Sequence, residues 1–365
     1  MNRLVALCIP GGASYVDAVR RIWDEGDAVF PVDQRLPKQS QSALIEHMAA
    51  SVIVDSGGET SVAGTPVETG DALVVATSGS TGLPKGVVLT HDALTANAEA
   101  TNSYLDVESN TDKWLACLPL SHVGGFSVVV RALHSEVALE VHDGFDADRV
   151  SEAAQNGATL VSLVPTAMGR IDTAHFRKVL VGGSAVPSNR PSNVIATYGM
   201  TETGSGVIYD RRPLEGVELR IQQGEIQIRC PMLFRCYRDG SDPRTGDGWF
   251  PSGDAGSLDT DGLLTVHGRK GDMIITGGEN VWPVAVERLL ESASGVAECA
   301  IVGRPDPEWG QIVTVVVVPL TNPPILADLR EHVKASLPGY CAPRRLELVD
   351  RLPRTSLGKL QRHRL

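Results

Sequence analysis

Ten consecutive residues, Thr77-Ser78-Gly79-Ser80-Thr81-Gly82-Leu83-Pro84-Lys85-Gly86, carry four hydroxyls, three glycines and one lysine. Glycine lets backbone approach an anion and aim successive N–H groups at it. Hydroxyls add donors, and the lysine adds a point charge. Such a loop suits a polyphosphate. Its order differs from GxxxxGK[ST], which excludes the P-loop of the NTPases. A polar hairpin loop is the plain alternative, and this ordering argues against it.

Further along the chain lie groups of complementary chemistry. Thr201-Glu202 sets a hydroxyl beside a carboxylate, which serves either a cation and its phosphates or the cap of a helix start. Asp254, in SGDAG, can accept from two vicinal hydroxyls or close a β-turn. His122, in PLSHVGG, is a ring facing a pocket or a satisfied core histidine. Lys359, in PRTSLGKLQR, is either a mobile charge that acts on a ligand or a solvated lysine in a basic stretch with Arg345, Arg351, Arg354 and Arg362.

These groups need a frame. Residues 1–70 predict a helix over 15–23, a turn-rich segment AVFPVDQRLP, a helix over 40–50 and a strand SVIVD. Strands over 72–76 and 87–90 flank the hydroxyl-rich loop, so a helix dipole is not its main device. An amphipathic helix over 92–104 follows, with Asp92 as its expected N-cap. Strand WLACLPL, a helix over 126–133, strand VALEVH, helix DADRVSEAAQNG and strands TLVSLVP and KVLVGG then alternate. That spacing predicts a parallel sheet with helices on its faces. Beyond Tyr198, short strands VELRIQ, GEIQIRC and GLLTVHG between Gly/Asp turns predict antiparallel structure. Residues 273–365 read as compact α+β, with helix VAVERLLES starting at Pro283, strands AECAIVG, IVTVVVVPL and RLELVD, and helix ILADLREHVKASL. The expected fold is therefore α/β: a large N-terminal domain of parallel and mixed sheets plus a β subdomain over 1–268, a hinge at 269–272, and a small α+β C-terminal domain over 273–365.

Composition narrows the function classes. At 365 residues the chain exceeds one ordinary core, and 42% hydrophobic content is globular. A net charge of −11 argues against a nucleic-acid partner, which needs a clustered positive field. Six scattered cysteines with no CxxC pair and no zinc-site spacing read as free thiols of a reducing compartment. No segment approaches the roughly 20 apolar residues of a membrane span. A cytoplasmic protein with no membrane span is expected.

The loop TSGSTGLPKG resembles the phosphate-binding signature of the adenylate-forming superfamily of acyl-CoA synthetases, luciferases and adenylation domains. PLSHVGG (119–125), YGMTETG (198–204), SGDAG (252–256), HGRKGDMIITGGENVWPVAVE (267–287) and PRTSLGKLQR (353–362) resemble further motifs of that family in the same order. The resemblance covers residues 72–365.

It implies a two-step acid–thiol ligase: a small-molecule carboxylic acid and ATP form acyl-AMP and pyrophosphate, and coenzyme A then takes the acyl group and releases AMP. Joining two anions makes charge neutralisation and alignment the catalytic task. By resemblance, Thr77, Ser78, Gly79, Ser80, Thr81, Gly82, Lys85 and Thr201 hold phosphates. Glu202 holds Mg²⁺, with Thr77 as a second metal candidate. Gly182, Gly183 and Ser184 lay backbone against adenine, Tyr198 beside Gly199 stacks on it, Asp254 takes the ribose, and Arg269 contacts the nucleotide near the hinge. His122, Gly124, Ser184, Thr203 and Ser205 line the acyl pocket. Lys359 bridges carboxylate and α-phosphate in the first step. The small mobile domain then turns at Lys270, Gly271 and Asp272, presenting Gly277, Gly278 and Glu279 to coenzyme A.

Two departures stand out. Only 76 residues precede the loop, fewer than is usual for the family, so the N-terminal region reads as abridged and an exposed apolar face is expected to be covered in a homodimer. The hinge position two residues after Arg269, commonly Asp or Lys in the family, is Gly271. Within the superfamily, the compact length and the wording of PLSHVGGFSVVV and YGMTETGSGVIYD look most like short o-succinylbenzoate–CoA ligases of menaquinone biosynthesis. A ligase for another aryl or fatty acid, or a non-catalytic nucleotide-binding homologue, is the alternative.

Overall fold

Strands such as Leu4–Leu7 and Leu160–Leu163 are buried at every position, because layers cover both of their faces. The computed structural model describes residues 1–77, 84–187, 189–354 and 360–365. The chain forms two compact units, residues 1–219 with 228–250, and residues 220–227 with 251–365.

The first unit begins β1 (Leu4–Leu7), α1 (Ala13–Asp24), β2 (Ala28–Pro31), α2 (Lys38–His47), β3 (Val52–Asp55), β4 (Gly58–Ser61), β5 (Asp71–Thr77), β6 (Lys85–Thr90) and α3 (His91–Tyr104). It continues β7 (Lys113–Ala116), α4 (Val123–His134), β8 (Ala138–Val141), α5 (Ala147–Gln155), β9 (Leu160–Leu163), α6 (Pro165–Met168), β10 (Lys178–Val181), β11 (Val194–Met200), β12 (Ser205–Tyr209) and β13 (Arg212–Pro213). One sheet is ordered Cys236–Tyr237, β6, β5, β2, β1, β3, β4, with a parallel centre and antiparallel edges. The other runs β13-β12-β11-β10-β9-β7-β8 and is parallel from β8 to β11. Thr77 pairs with Lys85, so β5 and β6 form a hairpin around residues 78–83.

Several expectations are corrected here. The first half of AVFPVDQRLP is not a turn but β2, pairing with the unexpected strand β1 in the sheet interior. Both are four residues long and apolar throughout, so neither shows the alternation that marks a strand. The cap of α3 is Thr90, whose hydroxyl accepts from Ala93 N at 3.2 Å; Asp92 lies in the first turn, where its charge complements the dipole. The expected exposed apolar face is not found. Among the described residues of the first unit, only Met1, Leu36, Val62 and Tyr104 are exposed large apolar side chains. The physical argument for a homodimer drawn from that face falls with it.

The second unit includes parts of β14 (Glu218–Gln222) and β15 (Glu225–Arg229), which form a four-stranded sheet with β17 (Phe250–Leu258) and β18 (Leu264–Arg269) in the order β14-β15-β17-β18; β16 (Cys236–Tyr237) is the edge strand described above. Lys270–Asp272 is a single 3-10 turn. There follow β19 (Ile274–Thr276) and β20 (Glu279–Val281), a short hairpin not anticipated from the sequence, and then α7 (Pro283–Leu290), β21 (Val296–Asp306), β22 (Gly310–Pro319), α8 (Leu326–Lys334) and β23 (Arg345–Leu348), closely as the periodicity predicts. Val286, Leu290, Ile301, Val315, Leu329 and Val333 form their core. Arg362 is inserted beneath this lobe, donating to both carboxylate oxygens of Glu287 and, at 3.2 Å, to Asp272 of the 3-10 turn. On the other side of that turn Lys270 pairs with Glu225 at 3.2 Å. All six cysteines are free, and no helix among the described residues is long and apolar enough to cross a membrane.

The segment carrying β16 is stapled to β5 by Arg235, which makes two 2.8 Å bonds to the fully buried carboxylate of Asp71. Removing the cation leaves that carboxylate buried and uncompensated. Arg235→Ala is expected to cost about 3 kcal/mol, read as a lower urea midpoint with unchanged slope.

Candidate active site

β7, β10 and β11 are parallel, so the segments that follow them emerge at one edge of the sheet: the loop ending at His122, the loop Gly182-Gly183-Ser184, and the turn at Thr201-Glu202. The carboxyl edge of a parallel sheet is where ligands of such folds bind. Close backbone approach explains two glycines there. A Cβ on Gly182 would lie 2.3 Å from Thr197 Oγ1, and one on Gly199 would lie 2.2 Å from Ser205 O. Ser184 is exposed, and Tyr198 is half-buried beside a register shift in the β11–β12 pairing.

Glu202 lies in a 3-10 turn, Thr201–Thr203, anchored where Phe234 N donates to Glu202 O at 2.8 Å. Tyr237, on β16, donates its hydroxyl to Glu202 Oε1 at 2.9 Å. The Lys85 ammonium lies 4.6 Å from the centre of the same ring, and Thr77 Oγ1 donates to Lys85 O at 3.3 Å. Burial first, then the Glu202 charge, raise the Tyr237 pKa and keep the phenol a donor. Three candidate residues from distant positions (Thr77, Lys85 and Glu202) are thus brought to one place.

A second cluster sits on α4, an almost wholly apolar helix with one cation. Arg131 is 1% exposed, and among the described residues it has no carboxylate partner. Its guanidinium donates to Ser205 Oγ at 2.8 Å and, more weakly, to Asn97 Oδ1 and Ser162 Oγ at 3.4 Å each. Its Nε is unsatisfied, and Trp114 presents its ring at 5.7 Å. Ser205 Oγ also accepts from Ser127 at 3.1 Å, so its own proton is available to a ligand. Asn97 braces the arrangement by donating to Thr203 O and Gly206 O. Thr203 itself is fully buried with its hydroxyl committed to Met200 and Ser205, which makes it a clamp of the turn rather than a pocket donor. His122 stands at the N-cap position of α4, where its side chain makes no capping bond, with Gly124 in the first turn. Burial, followed by the Arg35 charge, lowers its pKa below the usual value, so the ring is neutral at pH 7, and its Nε2 has no partner.

The remaining candidates lie in the second unit or outside the described residues. Asp254 and Arg269 face each other across β17 and β18 and form an ion pair at 2.9 Å. Gly277 and Gly278, both at positive φ, make the two-residue turn between β19 and β20 that places Thr276 opposite Glu279. That turn alone accounts for both glycines, and Trp309 packs against Gly277. Gly271 has open space around it. Ser78, Gly79, Ser80, Thr81, Gly82 and Lys359 lie outside the described residues.

Two sequence profiles match this chain: AMP-binding enzyme over residues 63–238 and AMP-binding enzyme C-terminal domain over residues 285–359. A probable 2-succinylbenzoate–CoA ligase of Mycobacterium tuberculosis is 38% identical over 321 residues, 80% of this chain and 82% of that one. The chain belongs to the AMP-binding enzyme family. The o-succinylbenzoate CoA synthetase of Bacillus subtilis, solved with its acyl-adenylate intermediate OSB-AMP, superimposes with a TM-score of 0.87 at 26% identity, covering 99% of this chain and 87% of that one. The same synthetase with ATP and magnesium ion gives 0.86 at 26% identity, covering 100% and 89%. The resemblance read from the motifs is borne out, and the chain is an AMP-forming acid–CoA ligase.

For such a ligase the metal demand is modest. Mg²⁺ commonly takes one or two carboxylates alongside phosphate oxygens and waters. Glu202, whose Oε2 has no partner among the described residues, fits that demand, and no group of three or more acidic, His or Cys ligands occurs among those residues. Sequence reasoning missed Arg131 and Tyr237. A lone cation in VGGFSVVVRALH was the available signal for the first; RCYRDG carries none for the second. Gly199→Ala is expected to force β12 away from β11, lowering stability by about 2 kcal/mol and weakening AMP binding in calorimetry.

Proposed function

We propose that this ligase activates 2-succinylbenzoate with ATP and Mg²⁺ and transfers the acyl group to coenzyme A, the menaquinone-pathway step implied by the sequence resemblance. The observation that carries the choice of acid is Arg131. A charge buried without a counter-ion is costly, and a ligand that brings an anion repays the cost. An aromatic acid with a second carboxylate does so. One carboxylate reacts, while the other is drawn toward Arg131 through the free Ser205 proton. A monocarboxylic aryl or fatty acid leaves the guanidinium uncompensated. The 2-succinylbenzoate–CoA ligases among the relatives support the same reading.

In the first step a carboxylate oxygen attacks the α-phosphorus and the bond to pyrophosphate breaks. Lys85 and Lys359 offset the gathering negative charge, and Mg²⁺, when bound, supplies further neutralisation of the phosphates. The neutral ring of His122 adds no competing charge beside the acyl group. In the second step the coenzyme A thiolate attacks the acyl carbon and AMP leaves. With a thiol pKa near about 8.5, deprotonation is a small demand. Turning at Lys270-Gly271-Asp272 exchanges Lys359 for the hairpin at Gly277-Gly278 between the steps.

Two measurements test this. Arg131→Met removes the charge at similar volume. It is expected to raise the KM for 2-succinylbenzoate by roughly 50-fold and to leave benzoate-type monoacids unchanged. Equal loss for both classes defeats the assignment of the acid. Lys359→Ala is expected to abolish ATP–pyrophosphate exchange and to spare thioester formation from preformed acyl-AMP; equal loss of both steps defeats the two-state mechanism.

A further inference from the structure

Lys85 and Glu202 carry opposite charges on adjoining elements, yet no ion pair joins them among the described residues. Tyr237 stands between. Its hydroxyl holds Glu202 Oε1 at 2.9 Å, and its ring face carries the Lys85 ammonium at 4.6 Å. The ring is itself fixed. It is 8% exposed, its backbone is registered opposite Val87 on β6, and Phe234 packs on it at 4.9 Å. Phe234 also grips the Glu202 carbonyl, so the strand that carries the phenol and the turn that carries the carboxylate are one assembly.

The two contacts differ in kind. A phenol satisfies one carboxylate oxygen and leaves the other open. An aromatic face holds an ammonium by its quadrupole without cancelling its charge. A direct Lys–Glu pair would instead have to be broken before either group could serve a nucleotide. We propose that Tyr237 is a positioning residue for adenylation, holding Glu202 and Lys85 apart and aimed so that Oε2 is left for the metal and the ammonium for phosphate. This rests on the reading of Glu202 as the metal carboxylate and Lys85 as a phosphate ligand.

The test compares Tyr237→Phe, Tyr237→Leu and Glu202→Gln in the full chain. Calorimetry measures ATP binding in EDTA and in Mg²⁺, and ATP–pyrophosphate exchange gives the half-maximal Mg²⁺ concentration. Tyr237→Phe keeps the ring, so metal-free ATP binding is expected within about twofold of the parent, while the Mg²⁺ requirement rises about tenfold, one charge-assisted hydrogen bond. Tyr237→Leu removes the ring as well and is expected to weaken metal-free ATP binding about fivefold. A Tyr237→Phe protein with the parent's Mg²⁺ requirement, or one that loses metal-free and metal-bound ATP equally, overturns the proposal. Glu202→Gln separates the two layers. If it leaves the Mg²⁺ requirement unchanged, the metal reading fails and the proposal with it. If it shifts the requirement while Tyr237→Phe does not, only the proposal fails.

Discussion

Opposite charges that must serve one ligand have first to be kept from neutralising each other. On the proposed reading of Lys85 and Glu202, that constraint bears on the carboxyl edge of the parallel strands in the first unit. The hairpin of β5 and β6 brings in an ammonium and the turn after β11 brings in a carboxylate. A two-residue edge strand, pinned by Arg235 to Asp71, supplies the side chain that separates them. Two residues make too short a strand to persist alone, so β16 depends on the staple at Asp71 together with Arg238, which donates to Met48 O and Pro66 O and through its backbone to Gly86 O.

The cluster around Arg131 follows a related rule with only one sign of charge. Arg131 is enclosed by hydroxyls, an amide and an indole, donors and acceptors that position a guanidinium without compensating it. Holding an ion this way costs several kcal/mol. The enclosing residues come from α3, α4, β7, β9 and β12, so the cost is borne by the packing of the whole sheet-and-helix sandwich. Asn97 belongs to both regions: one face of its amide accepts from Arg131, and the other holds the turn that carries Glu202.

How much of this was legible from residues depended on range in sequence. The strands around the hydroxyl-rich loop, the alternating units up to β10 and the elements after Pro283 each show their own periodicity, and the structure reproduces them within a few residues. β1 and β2 were missed because a strand buried on both faces loses its alternation, and Pro31 read as a turn. At α3 the sequence points to Asp92 as the cap, and the geometry places it two residues earlier at Thr90. The partners of Arg131 lie 31, 34 and 74 residues away, and Tyr237 reaches 35 residues back to Glu202, so no local pattern announces either. Thr203 misled for the opposite reason: a hydroxyl within a motif was free on paper and is wholly consumed by its own turn.

The 3-10 turn at Lys270–Asp272 is held from both sides by matching contacts. Lys270 meets Glu225 at 3.2 Å and Arg362 meets Asp272 at 3.2 Å, each pair with one partner well covered and the other partly exposed. Arg362 also clasps both carboxylate oxygens of Glu287, and in that pair both partners are well covered. Mobile ions screen over a Debye length of about 8 Å at physiological ionic strength. Rising salt therefore weakens the two holds on the turn together, and the covered clasp of Arg362 on Glu287, the lobe's own grip on its tail, yields last.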